Sequence, residues 1–300
     1  MHIVIAGGSG FVGKALQERL LKDGHEVTIL TRNKEKVAEK NRLRAVEWLN
    51  PNSNPEKYLG NVDAIINIAG ESINGFRWTK TKKKQIIESR IRTTREIVRI
   101  IGEMDPKPKV LVNGSAVGYY GMSDEDTFTE ESKTEANDFL ATVVRKWEEE
   151  AKQAEKFGVR TVYARLGVVL GKGGALPLMA LPYKIGVGGP VGSGNQWVPW
   201  VHQDDVADLL LLAIENDSIS GPLNVTAPNP VKNNEFGKTI GRVLHRPHWM
   251  PVPSFTMKML LGEMSEMLLS GQCVIPRRAL HSGYTYHYPE LEQALENILR

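Results

Sequence analysis

The sequence predicts an α/β fold, a doubly wound parallel sheet with a smaller C-terminal domain. Short apolar runs typical of buried strands alternate with helical patterns over most of residues 1–227. Strands that alternate with helices form parallel sheets with helices on both faces. A glycine-rich turn joins the first strand to the first helix. The predicted strands span residues 2–6, 26–30, 43–48, 62–67, 109–113, 160–165 and 223–225.

Helices between these strands are predicted from apolar residues spaced three or four positions apart. One helix follows the glycine-rich turn, and further helices are predicted over residues 79–101, 139–156 and 205–214. The predicted buried face of the helix over 79–101 consists of Ile87, Ile91, Thr94, Val98 and Ile101. The helix over 139–156 has a face that indicates core packing, made of Phe139, Val143, Trp147 and Ala151.

Composition and charge argue against several classes of protein. The 300 residues carry a formal net charge of +3, too small to predict a nucleic-acid or membrane partner. No segment contains the roughly 18 consecutive apolar residues of a membrane-spanning helix, and we expect no signal peptide because a strand begins at once. A single cysteine, Cys273, favours a reducing cytoplasm. The histidines lack paired ligand spacing, so no metal site is expected.

Gly7, Gly10 and Gly13 lie between the first strand and the first helix. In such a unit the first glycine permits a tight turn, the second lets the backbone approach a pyrophosphate, and the third allows close packing of helix and strand. Phosphates bind the free N–H groups at the positive end of the helix. The unit predicts a Rossmann-type dinucleotide-binding domain, and its GxxGxxG spacing is typical of short-chain dehydrogenases/reductases.

The end of the second strand indicates which dinucleotide is bound. An NAD site usually has an acidic residue there to hold the ribose 2′-hydroxyl. This chain has Thr31, Arg32, Asn33 and Lys34, with no acid before Glu35. Arg32 and the nearby lysine favour a 2′-phosphate through charge-assisted hydrogen bonds, so NADP(H) is the predicted cofactor. The alternative, a solvated Arg32 that binds nothing, stays open.

Ligands of such sheets bind outside the carboxyl ends of the strands. The residues predicted to hold the dinucleotide are therefore Gly7, Ser9, Gly10, Phe11, Val12, Gly13, Thr31, Arg32, Ala69, Gly70 and Arg165. The dinucleotide-binding domain is predicted to comprise residues 1–170 plus 204–227. Residues 171–203 plus 228–300 do not follow the alternation and are assigned to a smaller, lid-like domain on the substrate side.

Several stretches carry a family resemblance across essentially the whole chain. They are residues 69–73, 77–79, 89–91, 115–121, 147–148, 188–190, 192–196, 200–205, 252–253, 261–263 and 271–276. On these the chain resembles an extended or atypical short-chain dehydrogenase/reductase of the NAD-dependent epimerase/dehydratase type. Within that type it is similar to the bacterial "epimerase family protein" group, often labelled nucleoside-diphosphate-sugar epimerases. Its C-terminal block resembles the group's appended domain of unknown function.

The resemblance implies a catalytic serine, a tyrosine, and a lysine four residues after the tyrosine. Ser115, at the end of the fifth strand, matches the serine. The dyad is absent, because no tyrosine has a lysine four residues on and the expected positions near 139–140 and 143–144 are apolar. Tyr119 or Tyr120 could approach the nicotinamide instead, although a tyrosine without a neighbouring cation keeps a pKa of about 10 and is a poor base. That both tyrosines simply pack is equally open.

Further residues are candidates for contact with a substrate. Glu71 and Arg77 lie on a loop expected to face the site, where they either bind substrate or form internal ion pairs. Gln196, Trp197 and Trp200 are predicted to line the pocket wall, since tryptophan combines apolar area with one N–H donor. His202 is expected to be structural, with Asp204 or Asp205 capping the following helix.

Two functions from different classes follow. The first is an NADP(H)-binding oxidoreductase or epimerase-like enzyme that acts on a small carbonyl or sugar-nucleotide-like substrate, with a homodimer possible. The second is a catalytically silent dinucleotide-binding sensor or regulatory protein, which the missing dyad favours. Epimerisation with tightly held NAD ranks below both, because it needs an acid after the second strand and a good base.

Overall fold

The computed structural model of the chain describes residues 1–73 and 77–300. The strands are β1 (His2–Ala6), β2 (Glu26–Thr31), β3 (Leu43–Glu47), β4 (Ala64–Asn67), β5 (Val110–Ala116), β6 (Ser123–Phe128), β7 (Arg160–Leu166), β8 (Val168–Leu170), β9 (Trp197–Val198), β10 (Trp200–His202), β11 (Gly221–Val225), β12 (Val231–Lys232) and β13 (Gln272–Val274). The helices are α1 (Phe11–Lys22), α2 (Glu56–Leu59), α3 (Lys80–Glu103), α4 (Phe139–Ala151), α5 (Leu176–Lys184), α6 (Gln203–Glu215), α7 (Asn233–Leu244), α8 (Ser254–Leu261), α9 (Glu266–Leu269), α10 (Arg277–His281) and α11 (Leu291–Leu299).

The central sheet has seven parallel strands in the order β11-β7-β5-β4-β1-β2-β3. One face packs against α1 and α6, whose Leu16, Leu20 and Leu209 lie in a single buried cluster with the strands. The other face packs against α3 and α4 through residues such as Ile97 and Ala151. Helices cover both faces, which confirms the predicted α/β, Rossmann-type doubly wound sheet.

The buried face of α3 agrees with the prediction in part. Thr94 and Ile101 are fully buried, as predicted. Ile87 and Val98 are half-buried, and their neighbours Ile86 and Ile97 are fully buried instead. Apolar residues occur in adjacent pairs along this helix, so two neighbouring faces satisfy the helical spacing equally well. The sequence cannot choose between them, because the choice depends on how the helix is rotated against the sheet and α4.

A separate apolar cluster joins β8 and β10 to the C-terminal helices. It contains Trp200 from β10, Phe236 from α7 and Leu295 from α11, all buried. Ala279 and Tyr286, by contrast, pack in the cluster of the central sheet. The C-terminal part of the chain therefore contacts both clusters, and the domain boundaries drawn from sequence stay a prediction.

The cap of α6 corrects an expectation. The helix is capped by His202, whose Nδ1 accepts the Asp204 N–H at 3.1 Å, and not by either aspartate. Asp205 is fully buried and instead accepts hydrogen bonds from the Tyr284 hydroxyl and the His287 N–H, both at 2.8 Å. The His202 Nε2 lies 3.2 Å from Asn297 Oδ1. His202 thus has a structural role, and the hydrogen bonds of His202 and Asp205 hold α6 against the C-terminal segment.

We expect His202 to make stability depend on pH. Burial lowers the pKa of His202 despite the nearby aspartates. Below about pH 6.5 the folded chain then binds fewer protons than the unfolded chain, so the stability that His202 contributes is fully present above that pH and is lost as the pH falls from there through the lower pKa of the folded state. His202→Asn keeps an oxygen that can cap the helix. Between pH 7.5 and pH 5.5, the urea concentration at the midpoint of unfolding should fall less in this variant than in the wild type. His281→Asn, at an exposed histidine, is the control and should show the same fall of the midpoint as the wild type. If both variants showed the wild-type fall, the pH dependence would not come from His202.

Two kinds of feature are absent from the parts of the chain that the structure describes. Across residues 1–73 and 77–300, no helix is both long and apolar enough to cross a membrane. In the same ranges, no three His, Cys, Asp or Glu side chains are grouped so that they could hold a metal ion. The candidate site comprises the glycine turn and the carboxyl ends of the strands.

Candidate functional site

The glycine turn between β1 and α1 has no room for side chains at two positions. Gly7 has φ +91°, and a Cβ there would lie 2.8 Å from the Ala69 nitrogen. A Cβ on Gly13 would lie 2.6 Å from the Cα of Gly8 and closer still to the Gly7 carbonyl oxygen. The turn is thus pressed between α1 and the end of β4. These contacts are the ones that a dinucleotide-binding turn requires of its first and third glycines.

The N-terminus of α1 is suited to hold phosphate. Gly10 is its N-cap and supplies no side chain to the first N–H groups, and no acidic residue stands in the first turn. These N–H groups have no acceptor within the helix, and the helix dipole favours an anion there. A dinucleotide therefore fits here through the backbone of residues 10–13. The Val12 side chain packs against the core instead of facing outward.

Phe11 links the glycine turn to the segment after β8. Cβ atoms built on Gly171, Gly173 and Gly174 would lie 2.6, 2.8 and 3.0 Å from the Phe11 ring. Beside this contact is a cavity of about 410 Å³, lined by Ser9, Phe11, Lys14, Ala15, Glu18, Lys172, Gly173 and Gln203. Ser9 and Phe11 thus lie at the turn as predicted from the motif, while the role of each toward a cofactor stays a prediction.

The carboxyl end of β2 presents an arginine without a carboxylate partner. Arg32 is exposed, and among the described residues its guanidinium forms no ion pair. Thr31 is occupied locally, since its hydroxyl donates to the Asn33 carbonyl at 3.1 Å. Arg32 is also close enough to Glu71 to help lower the pKa of that carboxyl, although the main cause is a hydrogen bond from Lys82. Among the described residues, the Arg32 guanidinium therefore remains available to bind a phosphate group.

The end of β4 lies between the glycine turn and α3. Ala69 is buried, and its nitrogen is the atom that a Cβ on Gly7 would meet. A Cβ on Gly70 would lie 3.1 Å from the Arg90 side chain. Arg90 donates to the Glu71 carbonyl at 3.0 Å, and burial lowers its pKa to about 10. Ala69 and Gly70 thus lie beside the turn, and Gly70 lets the half-buried Arg90 side chain approach the backbone closely.

A buried polar network lies at the carboxyl ends of β5 and β7. Ser115 and Arg165 are paired in register across these strands. The Ser115 hydroxyl donates to Glu148 Oε1 at 2.6 Å, and Arg165 donates to both carboxylate oxygens of Glu148, each at 2.9 Å. All three side chains are buried. Sequence reasoning missed Glu148, for which the signal was an acidic residue directly after Trp147 on the buried side of α4.

The two tyrosines after β5 differ in their surroundings. Tyr120 is buried, accepts from Arg165 at 3.1 Å and donates to Asn224 at 2.7 Å. Burial raises the pKa of Tyr120, and the charge of Arg165 opposes that rise. Tyr119 is half-buried, with the Arg165 guanidinium carbon 3.4 Å from its ring centroid. The fold thus brings Arg165 from another strand beside both tyrosines, which gives them a neighbouring cation that the local sequence does not show.

The places expected for the missing dyad lie on α4 and are apolar. Val143 packs in a cluster with Trp78 and Ile86, and Leu140 packs against the same cluster. A Cβ on Gly118 would lie 3.3 Å from Leu140. These side chains hold α4 against α3 and the loop after β5, so no proton-exchanging group stands there.

The predicted substrate residues make internal contacts. Glu71 is paired with Lys82 at 2.6 Å, while Arg77 donates to the carbonyls of Leu260, at 2.9 Å, and Met259. The remaining two residues also bind the backbone. Gln196 is buried and donates to Val191 and Leu268 carbonyls, and the Trp197 indole donates to the Asp124 carbonyl. These contacts join the C-terminal part to the rest of the chain, and a role toward substrate stays a prediction.

Comparison with known proteins agrees with this geometry. The model of the NAD dependent epimerase/dehydratase family matches residues 3–226, and that of a domain of unknown function (DUF1731) matches residues 252–298. "Epimerase family protein YfhF" of Bacillus subtilis (strain 168) is 50% identical over 299 residues, which cover 100% of this chain and 98% of that protein. The predicted family resemblance, with its appended C-terminal domain, is confirmed.

Two solved structures are also similar. The human epimerase family protein SDR39U1 (isoform2), crystallised with NADPH, is 37% identical with a TM-score of 0.87, covering 99% of each chain. The nucleoside-diphosphate sugar epimerase from Corynebacterium glutamicum is 30% identical with a TM-score of 0.80, covering 100% of this chain and 58% of that one. By the extent of the family match and by these identities, the chain belongs to the NAD dependent epimerase/dehydratase family.

Proposed function

We propose that the chain binds NADP(H) and catalyses an oxidoreductase or epimerase-like reaction on a small carbonyl or sugar-nucleotide-like substrate. The observation that carries the proposal is the glycine turn. Gly7 and Gly13 leave no space for a Cβ, and the uncapped start of α1 offers N–H groups to phosphate. Family membership supports an NAD(P) dinucleotide as the ligand.

The choice of NADP(H) rests on Arg32. Its guanidinium is exposed at the end of β2, where NAD-binding chains usually have an acidic residue. A guanidinium can bind a 2′-phosphate through two charge-assisted hydrogen bonds. The similar human protein was crystallised with NADPH, which supports the same preference here.

Bound at this turn, the dinucleotide would supply hydride exchange at its nicotinamide. The chain's own groups near the ends of β5 and β7 are the candidates for handling the proton. Tyr119 is half-buried and can give a proton to a substrate oxygen or take one from it. Ser115 is buried, and its hydroxyl hydrogen is directed to Glu148. Of the two predicted catalytic residues, Tyr119 is therefore the better placed to contact substrate.

Calorimetric titration of cofactor-stripped protein with NADPH, NADH, NADP⁺ and NAD⁺ tests the proposal. We expect tight binding of NADPH and NADP⁺, which carry a 2′-phosphate, and weaker binding of NADH and NAD⁺. Absence of binding by all four would overturn it. A screen of carbonyl compounds for NADPH consumption would then separate an enzyme from a binding protein.

Arg32→Ala is expected to weaken NADPH binding by roughly 10- to 100-fold, the effect of losing hydrogen bonds to a charged group. NADH binding should change little, because NADH has no 2′-phosphate. The same titration measures both. Lys22→Ala, an equal change of charge at the exposed far end of α1, is the control and should leave both affinities unchanged. Equal losses for NADPH and NADH in Arg32→Ala would remove the case for NADP(H).

A catalytically silent dinucleotide-binding protein is the second candidate. One observation favours it: the positions expected for the dyad are occupied by Leu140 and Val143, which pack in an apolar cluster. Tight NADPH binding without NADPH consumption by any carbonyl compound, in both wild type and Tyr119→Phe, would favour this candidate over the enzyme.

A further inference from the structure

We propose that Arg165 takes the place of the missing lysine, that Tyr119 is the tyrosine it serves, and that Glu148 holds the guanidinium in position. In this arrangement Tyr119 is the candidate catalytic residue, and Arg165 and Glu148 are positioning residues. The inference rests on the proposed function, because it assigns the proton-exchanging group of that same site.

The position of Arg165 is fixed by Glu148. Two parallel hydrogen bonds of 2.9 Å join the guanidinium to both carboxylate oxygens. Such a bidentate pair restrains the orientation of the guanidinium plane as well as its distance. Burial opposes the charge of Arg165, but the hydrogen bonds and charge of Glu148 outweigh it and raise the pKa of Arg165. The residue is therefore a permanent cation in a fixed orientation.

This cation is in contact with Tyr119. The guanidinium carbon lies 3.4 Å from the centroid of the Tyr119 ring, against 5.0 Å for Tyr120. A cation on the face of an aromatic ring is attracted to its electrons. A phenolate ring holds more negative charge than a phenol ring, so a fixed cation on the ring face is attracted more strongly to a phenolate than to a phenol. In the usual dyad, a lysine supplies the cation beside the tyrosine.

Tyr119, not Tyr120, has a hydroxyl available for a ligand. The Tyr120 hydroxyl both accepts from Arg165 and donates to Asn224, and the residue is buried. Within residues 1–73 and 77–300, the half-buried Tyr119 makes no hydrogen bond through its hydroxyl. A phenol that exchanges protons with a substrate must have an unused hydroxyl within reach of it.

Glu148 also accepts the hydrogen bond that the Ser115 hydroxyl donates. Glu148 Oε1 accepts from the Ser115 hydroxyl at 2.6 Å and from Arg165 Nε at 2.9 Å. The single hydroxyl hydrogen of Ser115 is thereby used inside the network. The serine then helps to fix Glu148, and through it Arg165, while proton exchange is left to Tyr119.

Acetylation of tyrosines by N-acetylimidazole tests the inference without substrate or dinucleotide, because the phenolate is the attacking form. The rate at Tyr119, read by tandem mass spectrometry, is divided by the rate at Tyr58, which is 68% exposed. Removing Arg165 alone would leave Glu148 buried without a partner, so the test variant is Arg165→Met combined with Glu148→Leu. Arg165→Lys, which keeps a cation, is the matched variant.

We expect the ratio to fall roughly three- to tenfold in the double variant and to stay closer to wild type in Arg165→Lys. A purely structural role predicts the opposite sign, since looser packing would expose Tyr119 and speed its acetylation. An unchanged or increased ratio in the folded double variant would overturn the inference. NADPH titration of wild type is independent of this result, so failure of the proposed function and failure of the inference are distinguishable.

Discussion

Gly13→Val is expected to weaken dinucleotide binding by more than about 100-fold, equivalent to roughly 2.7 kcal/mol. A side chain at Gly13 would begin 2.6 Å from the Cα of Gly8, so the turn must move away from α1. The N–H groups that bind phosphate would then lose their common direction. Calorimetric titration with NADPH measures the loss, and circular dichroism establishes that the variant is folded.

The control for Gly13→Val is Lys22→Val, on the same helix. Lys22 is exposed and lies at the far end of α1, so its replacement imposes the cost of a β-branched residue in a helix without a clash at the turn. It should bind NADPH as the wild type does. Normal binding by folded Gly13→Val would show that the close contact of helix and turn is not needed for the dinucleotide.

Glu148→Leu should lower the free energy of unfolding by about 3–5 kcal/mol, as expected when one partner of a buried ion pair is removed. Arg165 would remain buried with its charge uncompensated. Adding Arg165→Met should recover most of the loss, because an apolar pair can replace a buried ion pair. Urea unfolding of the two variants and the wild type measures both steps.

Glu150→Leu is the matched control on the same helix. Glu150 pairs with Arg95 at 2.9 Å, and the Arg95 side chain is 69% exposed. Loss of an exposed ion pair has a small effect compared with that of a buried one, so the variant should stay close to wild type. If Glu148→Leu were as stable as Glu150→Leu, or if the double variant were no more stable than the single one, the buried pair would not have the assigned importance.

The sequence was sufficient for the central sheet because each of its strands has a local apolar pattern and each crossover contains a helical one. The pairing of β6 with β13 was not predicted. The β6 segment is mostly polar and exposed, and its partner lies more than a hundred residues later in the chain. Neither property leaves a local signal, so only the folded chain shows this pairing.

For the candidate site too, the local motif could be predicted from the sequence, whereas the contacts between distant segments could not. The glycine turn is a local motif, and Gly7 and Gly13 have the close contacts that the motif requires. Glu148, Arg165 and Tyr119 come from α4, β7 and the loop after β5, and their contacts depend on strand register and helix rotation. Arg165 and Tyr119 were each predicted from the sequence as site residues, but the sequence could not show that their side chains are in contact.

The buried carboxylate of Asp205 has a consequence for how the chain acquires its structure. Its hydrogen-bond partners are Tyr284, His287 and Tyr288, about eighty positions further on. A nascent chain that has emerged only as far as β11 must leave this charge in water, because no donor yet exists to receive it. We therefore expect α6 to dock fully on the sheet late in biosynthesis, once residues 284–288 have left the ribosome.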